Sequence, residues 1–334
     1  MKIQKHIVIV RSGVPSLSAM GTKSAVMMQQ LLQAHYAQVE IFTVTTLIDL
    51  NVLITKQPDL VVLGLKQIAT DEGAVWVTAY LEARGVNYLG SHTAAIELDY
   101  DKPSSKAVVR SAGLLTADSF VTSPGSMSEA GMALAYPVFV KPPNGGGGSG
   151  INDSSVARNY QEYASKVQYL YETFGSPSLV ETYLPGREFS VGLMENTHSP
   201  VLLAMPIELV VAANNRGDRM LSKSVKAQDT ELVLPITDMS LRIQVNRLAK
   251  AAYRALGARD YGRIDIRLDA HGAPHFLEAN LVPGLAQNDF TSYFIRACEI
   301  NQHMQYADVI LHLVHLALHR YTAPKLEKRS TALI

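Results

Sequence analysis

The chain has 334 residues, 47% hydrophobic and 18% charged, with 30 Lys and Arg balanced by 30 Asp and Glu. That composition is globular rather than disordered, and its even charge offers nothing distinctive to nucleic acid or to an anionic membrane surface. The length suits two or three units of roughly 100–200 residues each. The single cysteine, Cys298, rules out a disulfide framework, and no run approaches the ~20 apolar residues of a membrane span. The apolar start is too short for a signal segment and reads as a strand. A cytoplasmic protein is expected.

Residues 6–10, HIVIV, form the first buried strand, followed by a Gly/Ser/Pro turn from Ser12 to Ser18. A helical pattern covers about Thr22–Tyr36, and strands follow at Val39–Val44 and Asp59–Leu65 with a helix between them. A helix over Glu72–Arg84 stops at Gly85, and VNYLG is a further short strand. Strand and helix alternate, as in an open parallel sheet. Ligands of such sheets sit at the carboxyl ends of strands, here Arg11-Ser12-Gly13, Leu65-Lys66 and Gly90-Ser91. No Gly-x-Gly-x-x-Gly follows the first strand, so this unit is not expected to bind a dinucleotide.

A new unit opens at Asp99–Pro103, where Asp101 or a neighbour caps a helix with Pro103 in its first turn. The strand Tyr136–Lys141 runs into PPNGGGGSG, Pro142–Gly150. A glycine-rich loop lets backbone N–H groups approach phosphates, and Lys141 adds a point charge; the competing reading is a flexible linker. A helix is expected over about Val156–Phe174. SLVETYL and REFSVGLM, joined by Pro185-Gly186, read as a hairpin that sets Glu181 and Glu188 on either side of its turn. Glu181 there can accept from an adenine amino group and Glu188 from ribose hydroxyls, or the two are solvated hairpin charges. After the strand PVLLAMPIELV, residues 212–231 are polar and without period, a long loop of the kind that covers binding sites. Ser240–Leu256 is helical.

Tyr261–Gly284, YGRIDIRLDAHGAPHFLEANLVPG, is a hairpin around Asp269–Gly272. Alternation puts Arg263, Asp265 and Arg267 on one face, and Phe276, Glu278 and Asn280 on one face of the return strand. If the polar faces coincide, two carboxylates and an amide oxygen converge beside Arg263. That donor set suits Mg²⁺ carrying nucleotide phosphates, with Arg263 a fixed fork for a phosphate or oxyanion. His312, His315 and His319 share a face of the closing helix and read as a polar face near its C-terminus.

Lys102, Lys141 with its glycine loop, Glu181-Thr-Tyr-Leu184, Glu188, Gly262-Arg-Ile-Asp265 and Glu278-Ala-Asn280-x-x-Pro-Gly284 follow one another in order. Together they resemble the ATP-grasp superfamily and, within it, the D-alanine–D-alanine ligases, over nearly the whole chain. The resemblance implies an α/β, three-domain ATP-grasp fold with a Rossmann-like N-terminal parallel sheet, divided at 1–98, 99–186 and 187–334. It implies ATP with Mg²⁺ or Mn²⁺, an acyl phosphate formed from a carboxylate and resolved by an amine, and a homodimer. By the same resemblance Lys102 and Lys141 correspond to lysines that bind the ATP phosphates, with Gly147 and Gly148 of the loop also on the nucleotide; Lys223, across a gap, resembles a phosphate-binding lysine of the mobile loop. Glu181 and Leu184 resemble the adenine pair and Glu188 the ribose ligand. Asp265, Glu278 and Asn280 resemble the metal ligands, and Arg263 with the Gly284 backbone resembles the group that stabilises the tetrahedral intermediate.

The substrate side departs from that pattern. No Asp or Glu occurs between Arg11 and Val39, where the family's ammonium-binding glutamate stands. The glycine-loop serine falls on Gly147, the loop tyrosine near Ser224, the histidine after the third strand on Lys66, and a serine for the second substrate's carboxylate on Asp289. The expectation is an ATP-dependent carboxylate–amine ligase acting on small molecules other than two D-alanines. The alternatives are a D-alanine–D-alanine ligase of cell-wall synthesis and a non-catalytic nucleotide-binding protein.

Overall fold

The computed structural model describes residues 1–14, 19–130, 132–196, 199–287 and 291–322. Its first sheet is parallel, in the order β2-β1-β3-β6, with β1 at Ile3–Ser12, β2 at Tyr36–Val44, β3 at Leu60–Gly64 and β6 at Tyr88–Leu89. Both faces are covered, so its strands read as unbroken apolar runs. Val8 and Val10 enter one core, Ile7 and Ile9 the other. Helices α1 (Thr22–Gln33), α2 (Leu47–Thr55) and α3 (Val77–Glu82) connect the strands. The helix expected from Glu72 begins only at Val77. Residues before it form an antiparallel hairpin, β4 (Gln67–Thr70) with β5 (Gly73–Trp76). Gly73, at φ +121°, suits its turn, and Trp76 is still extended.

Helices α4 (Thr93–Tyr100) and α5 (Lys102–Ser111) meet at Asp101, whose side chain accepts the Ser104 N–H, as the Asp-Lys-Pro sequence leads one to expect. The second sheet is antiparallel, in the order β7-β10-β8-β9: β7 Ser119–Thr122, β8 Val138–Lys141, β9 Val156–Ala157 and β10 Ser178–Thr182. Helix α6 (Tyr160–Phe174) packs Tyr163, Val167 and Leu170 against Val140 and Val180. It starts four residues later than the sequence suggests, because 156–157 pair with β8 and Asn159 supplies the cap.

The third sheet runs β13-β12-β11-β14-β15: β11 Glu188–Asn196, β12 Ser199–Val210, β13 Leu232–Pro235, β14 Tyr261–Leu268 and β15 Pro274–Asn280. The expected hairpin between 178–184 and 187–194 is therefore not formed. β10 belongs to the second sheet and β11 to the third, and Pro185-Gly186 is the crossing between them. Gly186 donates to the Leu268 carbonyl at 3.0 Å, and a Cβ there would lie 2.7 Å from that oxygen, so only glycine fits. Residues 212–231 are not aperiodic throughout: they contain α7 (Lys223–Gln228), capped by Ser222.

Helix α8 (Met239–Ala255) packs on β11, β14 and β15, α9 (Tyr293–Gln302) packs on β11 and β12, and α10 (Tyr306–Thr322) reaches back to β3 and β6. Among the described residues no helix is long and apolar enough to cross a membrane.

Candidate active site

The second and third sheets face each other across a cleft. Lys102, Lys141, Gly148, Glu181, Leu184, Glu188, Asp265 and Glu278 all line it. These residues come from β8, β10, β11, β14, β15, α5, the glycine loop and, for Leu184, the connection from β10 to β11, so the crossing at Pro185-Gly186 is what lets Glu181 and Glu188 look into one space from two sheets.

On the hairpin side, Asp265 and Glu278 are directly opposite, as are Arg263 and Asn280. The strand register slips between Asp265 and Ile266: Ile266 pairs with Phe276, leaving Leu277 extra. This β-bulge corrects the expected alternation. Phe276 does not share the face of Glu278 but packs fully buried with Ile264 and Ile266, while Leu277 and Glu278 both reach the cleft. Bulges next to active sites re-aim side chains in this way. The Arg263 guanidinium grips Asp265 through Nε to Oδ1 at 2.9 Å and Nη2 to Oδ2 at 3.0 Å. The Ser190 hydroxyl, opposite Asp265 on β11, donates to Oδ1 at 2.6 Å. Asn280 donates its amide N–H to Asp265 Oδ2 at 3.2 Å, which leaves its carbonyl oxygen as the side chain's remaining acceptor. Burial works to raise the Glu278 carboxyl, but Lys102, 3.8 Å away, and Lys141 pull it down to about 2.

On the glycine-loop side, Lys141 is 5% exposed and pairs with Glu181 Oε2 at 2.8 Å. Lys102 donates to the Gly145 carbonyl. Glu188 accepts from Arg267 at 3.2 Å, and burial nevertheless pushes its carboxyl up. The 212–231 segment joins the two sides. Asp218 takes Arg158 at 2.8 Å, and the Arg219 carbonyl takes Arg267 at 2.7 Å. A Cβ on Gly148, at φ +78°, would lie 2.8 Å from the Lys223 nitrogen, so the glycine loop and the segment touch backbone to backbone. Gly148→Ala is therefore expected to unseat the segment at about 1–3 kcal/mol of strain, seen as faster proteolysis within 212–231 and weaker ATP binding. Unchanged digestion would show that this contact does not hold the segment.

Some expected residues sit elsewhere. Gly147 belongs to the loop but does not line the cleft. Lys223 offers its backbone to Gly148, whereas Lys226, one helical turn on, lines the cleft and acts on Glu278 and Glu188. Gly284 and Lys66 stand at the junction with the first sheet. A Cβ on Gly284 would come 3.3 Å from the Ala19 carbonyl. Lys66 pairs at 2.6 Å with Asp99, whose same oxygen accepts the Leu281 N–H at 3.1 Å, three residues before Gly284. Asp289 lies outside the described residues. The sequence reading missed Asp99, Lys106, Ser190, Lys226 and Arg267. Lys106 carried a signal, since it stands four residues after Lys102 on one helix; Ser190 carried none, because its role depends on strand pairing.

No three His, Cys, Asp or Glu side chains gather as a metal site among the described residues, the helical histidines included. Asp265, Glu278 and the Asn280 carbonyl make a smaller set of hard oxygens with one carboxylate kept ionised. They fit a Mg²⁺ ion that completes its shell with phosphates and water.

The fold is an ATP-grasp fold. Among solved structures, D-alanine–D-alanine ligase from Bacillus anthracis complexed with ATP superposes with a TM-score of 0.71 over 96% of this chain and 100% of that one, at 21% identity. VanG D-Ala:D-Ser ligase from Enterococcus faecalis gives 0.69 over 94% and 100%, at 17%. The family model for the D-ala D-ala ligase C-terminus matches residues 107–315. The chain is 29% identical to a D-alanine–D-alanine ligase of Desulforudis audaxviator over 75% of this chain and 78% of that protein. It is 30% identical to one of Streptococcus equi subsp. zooepidemicus over 77% and 71%. The chain belongs to the D-alanine–D-alanine ligase family and is, at that level, an ATP-grasp ligase.

Proposed function

We propose that the protein is an ATP-dependent carboxylate–amine ligase acting through an acyl phosphate on a pair other than two D-alanines. The observation that carries the reaction class is the cleft itself, which Lys102, Lys141 and Lys226 line together with the carboxylates of Asp265 and Glu278. Ile151, Leu184, Met220 and Leu277 supply apolar surface for a base, and Glu181 and Glu188 supply acceptors for an amino group and a ribose. Lys102, Lys141 and Lys226 hold the phosphates. Asp265, Glu278 and Asn280 would hold the Mg²⁺, which when bound neutralises charge on the phosphates. The substrate carboxylate oxygen bonds to the γ-phosphorus and ADP leaves. The amine then bonds to the acyl carbon, inorganic phosphate leaves, and a proton is released from nitrogen. Arg263 faces the oxyanion formed on the way, and Asp265 fixes its orientation until then. The same reading divides the chain at 1–98, 99–186 and 187–334 and includes a cytoplasmic homodimer.

The substrate reading rests on charge. A buried α-ammonium needs a counter-charge. Residues 11–39 contain no carboxylate, and Asp99, near the end of α4, is already taken by Lys66 and the Leu281 N–H. Arg11, next to last in β1, has its Nε buried and unpartnered. The activated acid is therefore expected to lack a free α-ammonium or to carry a further anionic group. The second substrate, met by Asp289 in the family's pattern, is expected to be an amine without a carboxylate there. A panel of carboxylates and amines assayed for amine-dependent release of ADP and phosphate tests this. D-alanine alone is expected to give negligible release. Efficient D-alanine dimerisation would establish the cell-wall ligase instead, and nucleotide binding with no release on any amine would favour the non-catalytic reading.

A further inference from the structure

Lys106 has no part in the reaction outlined above, yet it is among the most deeply buried cations of the chain, 1% exposed on α5. Its Nζ pairs with Glu181 Oε1 at 2.7 Å and donates to the Thr116 hydroxyl at 2.8 Å. That hydroxyl donates in turn to the Phe276 carbonyl at 2.8 Å, and the Phe276 N–H bonds back to the Leu115 carbonyl at 2.9 Å. Phe276 is the last residue before the bulge that turns Leu277 and Glu278 into the cleft. One carboxylate thus stands between two buried lysines, and the inner lysine is tied to the strand that carries Glu278.

The two lysines are not equivalent. Lys141 lines the cleft; Lys106 does not. A polyphosphate in the cleft would offer Lys141, which lines it, a second anion in competition with Glu181 Oε2. Lys106 stays on Oε1. Without it, a carboxylate only 2% exposed would be left with no cation and would take up a proton. A protonated Glu181 offers a donor where an amino group also offers one.

We propose that Lys106 is the fixed counter-ion of Glu181, a positioning residue that keeps this carboxylate an acceptor aimed at the cleft while Lys141 moves to the phosphates. Through Thr116 it also keeps Glu181 in step with β15. The charged groups that face Glu181 are Lys106 from α5 and Lys141 from β8, with Lys102 interacting at longer range; Arg110 acts on Lys106, and Glu278 and Glu188 act on Lys141. Burial works to raise the Glu181 carboxyl, but the two lysines hold it below its ordinary value.

The inference rests on the nucleotide reading of the cleft, and the experiment separates the two. ATP and inosine triphosphate binding are measured against pH with the full chain, for the wild type and for Lys106→Met, Lys106→Gln and Lys106→Arg, each shown folded by thermal melting. Inosine triphosphate has a carbonyl where ATP has its amino group. In the neutral variants ATP affinity is expected to fall about tenfold at neutral pH, the acid limb of binding to move to higher pH, and the preference for ATP over inosine triphosphate to narrow. The turnover number at saturating ATP changes far less, and Lys106→Arg recovers part of the loss. A folded Met or Gln variant with wild-type affinity, pH profile and preference overturns the assignment alone. A wild-type protein that binds no ATP overturns the nucleotide reading with it.

Discussion

Glu278→Gln is expected to leave a folded protein whose turnover is lower by about 10³-fold, since a lost ligand charge at a divalent-ion site removes several kcal/mol of transition-state stabilisation. The geometry makes this variant informative. Glu278 pairs across the hairpin with Asp265 and reaches the cleft because of the bulge at Leu277. Its side chain makes one ion pair, to Lys102, at the outer limit of 3.8 Å. What it contributes to stability has a definite pH window. Its carboxyl is depressed from 4.5 to about 2 in the folded protein. That contribution is complete above 4.5 and is lost as the pH falls toward 2, so the stability gap between wild type and variant closes over that interval. Asp265→Asn should behave differently. It loses turnover too, but it also strips Arg263 of a two-point partner at 9% side-chain exposure, at a cost of about 3 kcal/mol for a broken buried pair. Urea unfolding beside ADP release distinguishes the two. Wild-type rates from a folded Glu278→Gln protein would sink the metal assignment.

Lys141→Met should raise the KM for ATP between about ten- and a hundredfold, the value of a charge-assisted bond to phosphate. Burial works against the Lys141 charge, but Glu181 and Glu278 raise its pKa overall, so it arrives at the phosphate as a cation. The variant should still fold, because Lys106 remains to neutralise Glu181. Nucleotide affinity equal to wild type would return residues 142–150 to the status of a linker.

Much of this site is legible in the sequence. Alternation along 261–268 places Arg263 and Asp265 on one face correctly, because a strand buried on its other face has to keep its period. The same rule fails one strand later: an inserted residue changes the face of everything beyond it and leaves no mark in composition, so Phe276 reads as a neighbour of Glu278. Two apolar runs joined by Pro-Gly read as a hairpin, and nothing local reveals that Gly186 is held by Leu268 while its flanking strands part company. Lys106 and Lys226 are visible as letters at helical spacing from other lysines. Whether a helical lysine is solvated or buried on a carboxylate depends on which sheet packs over it, and that lies outside the segment.

Helix α10 has a consequence for how the chain comes off the ribosome. The core behind Ile7, Ile9, Leu60 and Val62 includes Val309, Ile310, Leu313 and Val314 from that helix. Arg320, near its end, bonds the Tyr88 carbonyl at the far strand of the first sheet. β1 and β3 therefore wait for α10 before the face they share with α1 is fully covered, about 10–50 s at ordinary elongation rates. During that interval the nascent sheet presents Ile and Val side chains to solvent, the surface that a chaperone holds and that aggregation consumes. Ribosome-bound chains ending before residue 306 should accordingly be far more protease-sensitive at their amino-terminal end than chains that include α10.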